Sequence, residues 1–179
     1  MPSIEIRQAI LADLPELMKI DHSYETMSAW QMDRNLDINQ VNVQFREIRL
    51  PRAVHMEYPR PLDYFEDEGF RQSIILVALL SGIPVAYIRL YEECEPRTVR
   101  VKDLAVGKNV RRQGIASVLL LAAQDWAGQR NFKRVVAEIQ PKNSAAIHLV
   151  NKLGYEFCGY SDHYFANQDI ALFFMRYLR

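Results

Sequence analysis

Between Ile74 and Leu80 every side chain is apolar, and beyond Ser81-Gly82-Ile83-Pro84 a second apolar-rich run extends from Val85 to Tyr91. Runs this short, rich in branched residues and separated by turn chemistry, read as the two strands of a buried β-hairpin. A chain built around such a hairpin must assemble a sheet with a covered core. The 179 residues suffice for one domain of that kind, or for one domain with an elaborated arm.

The flanking patterns supply the other elements. Ile4-Glu5-Ile6-Arg7 alternates apolar and polar side chains and predicts a first strand. Asp13 is placed to cap a helix carrying Leu14, Leu17, Met18 and Ile20, with Pro15 in its first turn. From His22 to Pro61 the pattern breaks. Val41, Val43 and Phe45 alternate, but Arg46, Arg49 and Arg52 intrude and Pro51, Pro59 and Pro61 oppose regular continuation, so the stretch reads as an arm of helix, extended chain and loops. Thr98 to Val106 predicts a strand. Gly114 to Trp126 predicts a helix with Ile115, Val118, Leu119, Ala122 and Trp126 on one face and Gly128 near its end. Arg134 to Ile139 is a further strand. Asn143 can cap a second helix that runs to Leu153 and stops at Gly154. Tyr155 to Tyr160 and Ile170 to Arg176 close the chain as strands. Without repeats or internal linkers, residues 1–179 read as a single α+β domain, with 22–70 as its arm.

Charge removes several functions. Lys plus Arg number 22 and Asp plus Glu 22, so the basic surplus that nucleic-acid binding requires is missing. No apolar run approaches the length of a membrane span, and no signal-peptide pattern is visible. Cys94 and Cys158 are the two cysteines and form no metal-binding pattern, so the expectation is no metal and two reduced thiols in a cytoplasm.

The most informative loop runs Val106-Gly107-Lys108-Asn109-Val110-Arg111-Arg112-Gln113-Gly114-Ile115-Ala116-Ser117: a strand end, a loop and a helix start. A helix start leaves backbone N–H groups unpaired and adds the positive end of the helix dipole, so a phosphate can sit on it. Gly114 and Ala116 keep side chains out of the way, and Arg111 and Arg112 can add charge-assisted hydrogen bonds. The loop is neither a P-loop nor a dinucleotide fingerprint, because the lysine of the first and the spaced glycines of the second are lacking. Taken alone, R-x-x-G-x-A also describes an ordinary basic loop before a core helix.

Downstream, Glu138-Ile139-Gln140-Pro141-Lys142-Asn143 leads into N-x-x-A-I-x-L-x-x-K-L-G-Y, ending at Gly154-Tyr155. The two motifs in this order, one helix and one strand apart, resemble motifs A and B of the GNAT superfamily of N-acetyltransferases. The likeness covers about residues 73 to 179, with a consistent beginning at 4 to 20. It implies a mixed, mostly antiparallel sheet with a splayed strand pair and helices on both faces. It also implies that acetyl-CoA is the co-substrate, with its diphosphate on the amides of Arg112, Gln113, Gly114, Ile115, Ala116 and Ser117, and Arg111 nearby. The pantetheine amides would pair with the strand edge at Leu104, Ala105 and Val106 as an added pseudo-strand. Asn143 would lie beside the cofactor arm, or serve as a helix cap alone. A narrower similarity to the streptothricin acetyltransferase-like branch appears in Asp21-His22-Ser23-Tyr24-Glu25-Thr26, in Phe45 to Arg52 and in Ala171-Leu172-Phe173-Phe174.

Acyl transfer to an amine needs a neutral nucleophile, a destination for its proton and a donor for the tetrahedral oxyanion. Glu138, on the strand before Asn143, is the first base suggested by the resemblance, and Asp103 the second. Either can instead be a strand carboxylate facing water or an ion pair. A backbone N–H near Val106 suits the oxyanion. Many family members carry a tyrosine, the acid for the departing thiolate, where this chain has Val150. Tyr164, in the polar stretch Ser161-Asp162-His163-Tyr164, is the expected substitute, whereas Tyr155 is expected in the core. His22, His55, His148 and His163 read as surface or capping residues. Glu66, Asp67 and Glu68 either attract a cationic acceptor or form a solvated face. The expected function is acetylation of a primary amine, by direct attack, on a small polyamine-like or aminoglycoside-like acceptor. The protein would be a monomer or homodimer, with neither nucleic acid nor membrane as partner. The alternatives are a non-catalytic acyl-CoA-binding module and a protein N-terminal or lysine acetyltransferase.

Overall fold

A computed structural model describes residues 4–60 and 72–178 of the chain. The strands are β1 (Ile4–Gln8), β2 (Tyr24–Asp37), β3 (Gln40–Met56), β4 (Ile74–Leu80), β5 (Ile83–Glu93), β6 (Thr98–Val106), β7 (Arg134–Ile139), β8 (Glu156–Ser161) and β9 (Ala171–Tyr177). The α-helices are α1 (Leu14–Leu17), α2 (Ile115–Gln129) and α3 (Ser144–Lys152). Seven strands form one sheet in the order β1-β4-β5-β6-β7-β9-β8, and β2 with β3 forms a separate ribbon. All neighbours in the large sheet are antiparallel except β6 and β7, which run parallel. Among the described residues, no helix is long and apolar enough to cross a membrane.

The uninterrupted apolar run of β4 has a direct cause. Successive side chains of a strand point to opposite faces, and here both faces are covered. Leu76 and Ala78 join Ile88 and Leu90 beneath Leu119, Leu120 and Ala123 of α2, while Ile75, Val77 and Leu79 join Tyr87 and Ala105 over Leu17 of α1. The β4–β5 connection is tighter than the expected Ser81-Gly82-Ile83-Pro84 turn: Ile83 already pairs with Leu80, and only Ser81 and Gly82 lie between, with positive φ of 52° and 80°. That conformation matches the twist of the flanking strands. On α2 the buried face centres on Ile115, Leu119, Leu120, Ala123 and Ala127, rotated from the predicted stripe so that Val118 is exposed.

Two expectations are corrected. The helix from Asp13 to Ile20 shrinks to a 3₁₀ turn at Leu11–Asp13 followed by the single turn of α1. Asp13 makes no side-chain cap for it. Its carboxylate instead accepts from the Arg7 guanidinium at 2.7 and 2.8 Å and from the Ile10 N–H at 2.8 Å, fastening the helix start to β1. The arm contains no helix among its described residues: β2 and β3 pair from Tyr24↔Met56 to Asp37↔Gln40 as one long ribbon. Pro51 interrupts nothing, because it falls in the irregularity where Thr26 pairs with Val54 and Ser28 with Arg49. There its missing N–H is not needed by a ladder.

A lone two-stranded ribbon is marginal in water, and this one leans on the rest of the protein. The Trp30 N–H donates to the Pro141 carbonyl at 2.8 Å, Phe45 packs on Phe157 and Tyr160, and His148 reaches Glu47 at 2.9 Å. Gly154 stops α3 at φ 75° as expected, where a side chain would collide with Arg176.

The Asp13 carboxylate is nearly covered, and hydrogen bonding to Arg7 lowers its pKa from the ordinary value, with the Ile10 N–H acting in the same direction. A depressed folded-state pKa contributes stability above the unfolded-state pKa, lost as pH falls through the folded value. Asp13→Asn is therefore expected to cost about 2 kcal/mol at neutral pH. In urea melts the difference from wild type should narrow as pH drops below the carboxylate range.

Candidate active site

The site begins where two parallel strands part. β6 and β7 pair only from Thr98↔Arg134 to Val101↔Ala137, after which β6 continues to Val106 and β7 to Ile139 without meeting. The parting coincides with a β-bulge. Opposite β5, Arg89 pairs with Asp103 and Leu90 with Val101, so Lys102 is the extra residue. A bulge bends its strand and raises the local twist, which swings the end of β6 away from β7. Leu104, Ala105 and Val106 are thus held by β5 on one side, with an open edge on the other.

The loop beyond β6 brings the start of α2 to this opening. Arg112 and Gly114 both lie in the left-handed region, at φ 65° and 86°. The first helical hydrogen bond is Val118 N–H to Gly114 O at 3.1 Å, and no side chain caps the helix. The amides of Ile115, Ala116 and Ser117 precede that bond and remain available, at the positive end of a 15-residue helix. Arg111, expected beside the diphosphate, spends its guanidinium differently: it donates to the carbonyls of Val106 at 2.8 Å, Ser23 at 2.9 Å and Asp21 at 2.5 Å. With the Lys108–Asp21 ion pair it ties the segment before β2 to the loop.

A cleft of about 530 Å³ runs from the α2 start, along the open β6 edge, to the end of β7. Its walls include all the predicted cofactor-binding residues except Gln113. Asn143 reaches the same cleft and also caps α3, accepting from the Ala146 N–H at 3.1 Å. Backbone donors at one end, an unpaired strand edge in the middle and glycine at the turn suit a ligand that is a diphosphate followed by amides. That is the chemistry of coenzyme A.

At the far end lies a buried ionic network. The side chains of Glu138 and Asp103 are fully covered. Oε2 of Glu138 accepts from Arg60 at 2.8 Å and from the Tyr164 hydroxyl at 2.7 Å, while Oε1 accepts from Lys102 at 2.6 Å. Arg100 approaches Oε1 at 3.5 Å. Asp103 is bonded to Arg89 and lies 3.5 Å from Arg60, which thereby bridges both carboxylates and stacks on Phe165 at 4.8 Å. Burial pushes the Asp103 carboxyl well above the usual range, and the Glu138 charge pushes in the same direction.

The three predicted catalytic residues thus meet in one network, with a difference in rank. Glu138 and Asp103 line the cleft, whereas Tyr164 stands behind Glu138, also accepting from Lys102 at 3.1 Å. Tyr155 packs in the core with its hydroxyl 3.2 Å from Gln124, and burial raises its pKa to about 12. Val150 is buried in the cleft wall, with no hydroxyl to offer.

Several wall residues escaped the sequence reading. His22, read as a surface or capping residue, is half-buried, bonds the buried Tyr87 hydroxyl at 2.6 Å and packs on Tyr58; burial lowers its pKa. Tyr24 lines the cleft near Gln140, at 3.4 Å, and burial, with the Asp169 charge, raises its pKa. Arg60 and Lys102 were likewise missed. The alternation Val99-Arg100-Val101-Lys102 was the available signal, since cations facing one way on a central strand require carboxylate partners. Glu66, Asp67 and Glu68 lie outside the described residues.

A sheet unzipped between parallel neighbours, with a bare helix start facing the gap, defines an acyltransferase of the kind that draws on acyl-CoA. The protein family model described as the acetyltransferase (GNAT) family matches residues 42–155, and the chain belongs to that family. It is an acetyl-CoA-dependent acetyltransferase. Streptothricin acetyltransferase of Streptomyces lavendulae is 34% identical over 160 residues, 87% of this chain and 82% of that protein. Among solved structures, nourseothricin acetyltransferase superposes with a TM-score of 0.84 at 18% identity, over 98% of this chain and 99% of that one. A candidate streptothricin acetyltransferase of Bacillus anthracis str. Ames, in complex with acetyl coenzyme A, gives 0.77 at 21% identity, over 98% and 100% of the two chains.

Removing the Arg60 bridge leaves each carboxylate with fewer donors in a covered place. Arg60→Met is expected to cost about 2 kcal/mol. The shift in urea midpoint, at unchanged slope, measures it.

Proposed function

We propose that this protein transfers the acetyl group of acetyl-CoA to a primary amine of a small molecule of the streptothricin kind, polyamine-like or aminoglycoside-like, by direct attack. The observation that carries this reading is the single cleft in which bare α2 amides, the open β6 edge and the covered Glu138 carboxylate follow one another. One domain serves both substrates: the sheet and α2 hold the cofactor, and the arm over residues 22–70 supplies the acceptor side, with His22, Tyr24 and Arg60 on its cleft wall.

The amides of Arg112 to Ser117 take the diphosphate, and Leu104 to Val106 pair with the pantetheine amides. A backbone N–H near Val106 faces the carbonyl oxygen as negative charge develops there. The acceptor enters as an ammonium, since alkyl amines titrate near 10.4, and must lose a proton before attack. Glu138 receives it. A carboxylate oxygen accepts about two hydrogen bonds; Oε2 holds two donors and Oε1 holds Lys102 with Arg100 at 3.5 Å, so the amine reaches Oε1 by displacing the Lys102 ammonium. Tyr164 fixes the carboxylate from behind rather than touching substrate. Tyr24 supplies the hydroxyl on the cleft wall, a hydrogen-bond donor for the departing thiolate. Asp103 holds Arg89 and Arg60 in place.

Thermal unfolding tests the cofactor half. At a hundredfold excess over Kd, acetyl-CoA stabilises by about 2.7 kcal/mol, which for this size raises Tm by roughly 5–10 °C. No rise at millimolar acetyl-CoA overturns the reading. Gly114→Val should fold, because no atom lies within 4 Å of the added Cβ, but the strained left-handed position and the extra bulk should abolish the rise.

Steady-state kinetics with a panel of amines tests the chemistry. Glu138→Gln is expected to lower kcat roughly a hundredfold while the acetyl-CoA-induced Tm rise persists. Tyr24→Phe should lower kcat with little change in KM for acetyl-CoA. Unchanged turnover in either variant removes that residue from the mechanism.

A further inference from the structure

Lys102 occupies an unusual place for a lysine. It is the inserted residue of the β6 bulge, at the fork where β6 leaves β7, and its side chain lines the cleft. Its ammonium is not free in solvent: Nζ lies 2.6 Å from Glu138 Oε1 and 3.1 Å from the Tyr164 hydroxyl, and the side chain is 24% exposed. The amine nitrogen of an acceptor needs the same carboxylate. A lysine already bonded to it has its proton acceptor in contact without an association step, and a positioned intramolecular group gains greatly over a diffusing one.

We propose that, when no acceptor fills the cleft, Lys102 takes the acetyl group itself. The inference rests on the acetyl-CoA reading above. In the step, a proton of the Lys102 ammonium passes to Glu138 Oε1 and the freed Nζ lone pair attacks the thioester carbonyl. The tetrahedral adduct then collapses: the new C–N bond stays, the C–S bond breaks, and coenzyme A departs as a thiolate that picks up a proton. A second Nζ proton is lost as the amide forms. The product is stable acetyl-lysine, so this is a self-modification and not an intermediate of turnover.

The network tolerates the change. Neutralising one partner of a buried ion pair is costly when the other charge is stranded, but Glu138 keeps Arg60 and Tyr164 on Oε2 and Arg100 beside Oε1. The acetylated side chain loses a charge and fills the acceptor end of the cleft, so a modified molecule turns over slowly. Acceptor scarcity then idles the enzyme instead of letting it hydrolyse acetyl-CoA.

The site differs sharply from the targets of uncatalysed acetylation. Exposed amines such as Lys19 and Lys108, at 69% and 53%, should react first with a free acyl donor. The test incubates the full chain with acetyl-CoA and no acceptor, following peptide masses and thiol release. Modification at Lys102 ahead of the exposed lysines is expected, at a rate that saturates with acetyl-CoA. It should be lost in Lys102→Arg, slowed roughly a hundredfold in Glu138→Gln, and suppressed by an acetylatable amine. Tm in the same samples separates the outcomes. A rise with acetyl-CoA and an unmodified Lys102 overturns the self-modification alone; no rise overturns the acetyl-CoA reading with it. Acetyl groups scattered by exposure, growing linearly with acetyl-CoA, also overturn the self-modification.

Discussion

The separation of β6 from β7 is the constraint on which the site depends. Parallel neighbours ordinarily stay zipped, because each unpaired peptide group that is buried costs a hydrogen bond. Here the strands hold together only as far as Val101 and Ala137. Beyond that point the bulge at Lys102 turns β6 away, and five charged side chains (Arg60, Arg100, Lys102, Asp103 and Glu138) fill the space at the fork. The gap is therefore both bent open by backbone geometry and propped by ions. Desolvating this many charges is tolerable only because every carboxylate has a nearby cation, with Arg60 serving two.

The two ends of the cleft are built on different principles. Around α2 the walls are peptide groups fixed by secondary structure, with side chains kept small at Gly114 and Ala116. At the fork they are long side chains held in register by one another. Arg111 joins the two regimes, since its guanidinium touches the end of β6 and the carbonyls of Asp21 and Ser23. The loop that presents the helix start is thereby fastened to the chain that presents His22 and Tyr24.

Much of this was legible before any coordinates. The β4–β5 hairpin, α2, β7, α3 and the closing strands each carry a periodicity and a stop signal of their own, and the two sequence motifs point to the residues that line the cleft. Glu138 and Asp103 stand beside those motifs, and Tyr164 stands out by its polar stretch Ser161-Asp162-His163-Tyr164. What was hidden depends on contacts distant in sequence. The β2–β3 ribbon was obscured because Pro51 and three arginines look like strand breakers, when the ladder simply skips the proline. The tie from Arg111 to Asp21 spans 90 residues, and that from Arg60 to Glu138 spans 78; nothing local announces either. His22 looked like a surface or capping residue because its partner, Tyr87, lies on a strand that reads only as core.

Every residue carries the same backbone C=O, and every residue but proline the same N–H. A grip made from those atoms asks little of the side chains that carry them, provided that the chain bends in the right places and leaves room. Such a grip survives extensive sequence drift, whereas a pocket written in side chains must be rewritten with each change of guest. The fold shared with nourseothricin acetyltransferase, over 98% of this chain at only 18% identity, shows how far side chains can drift while the course of the main chain is kept.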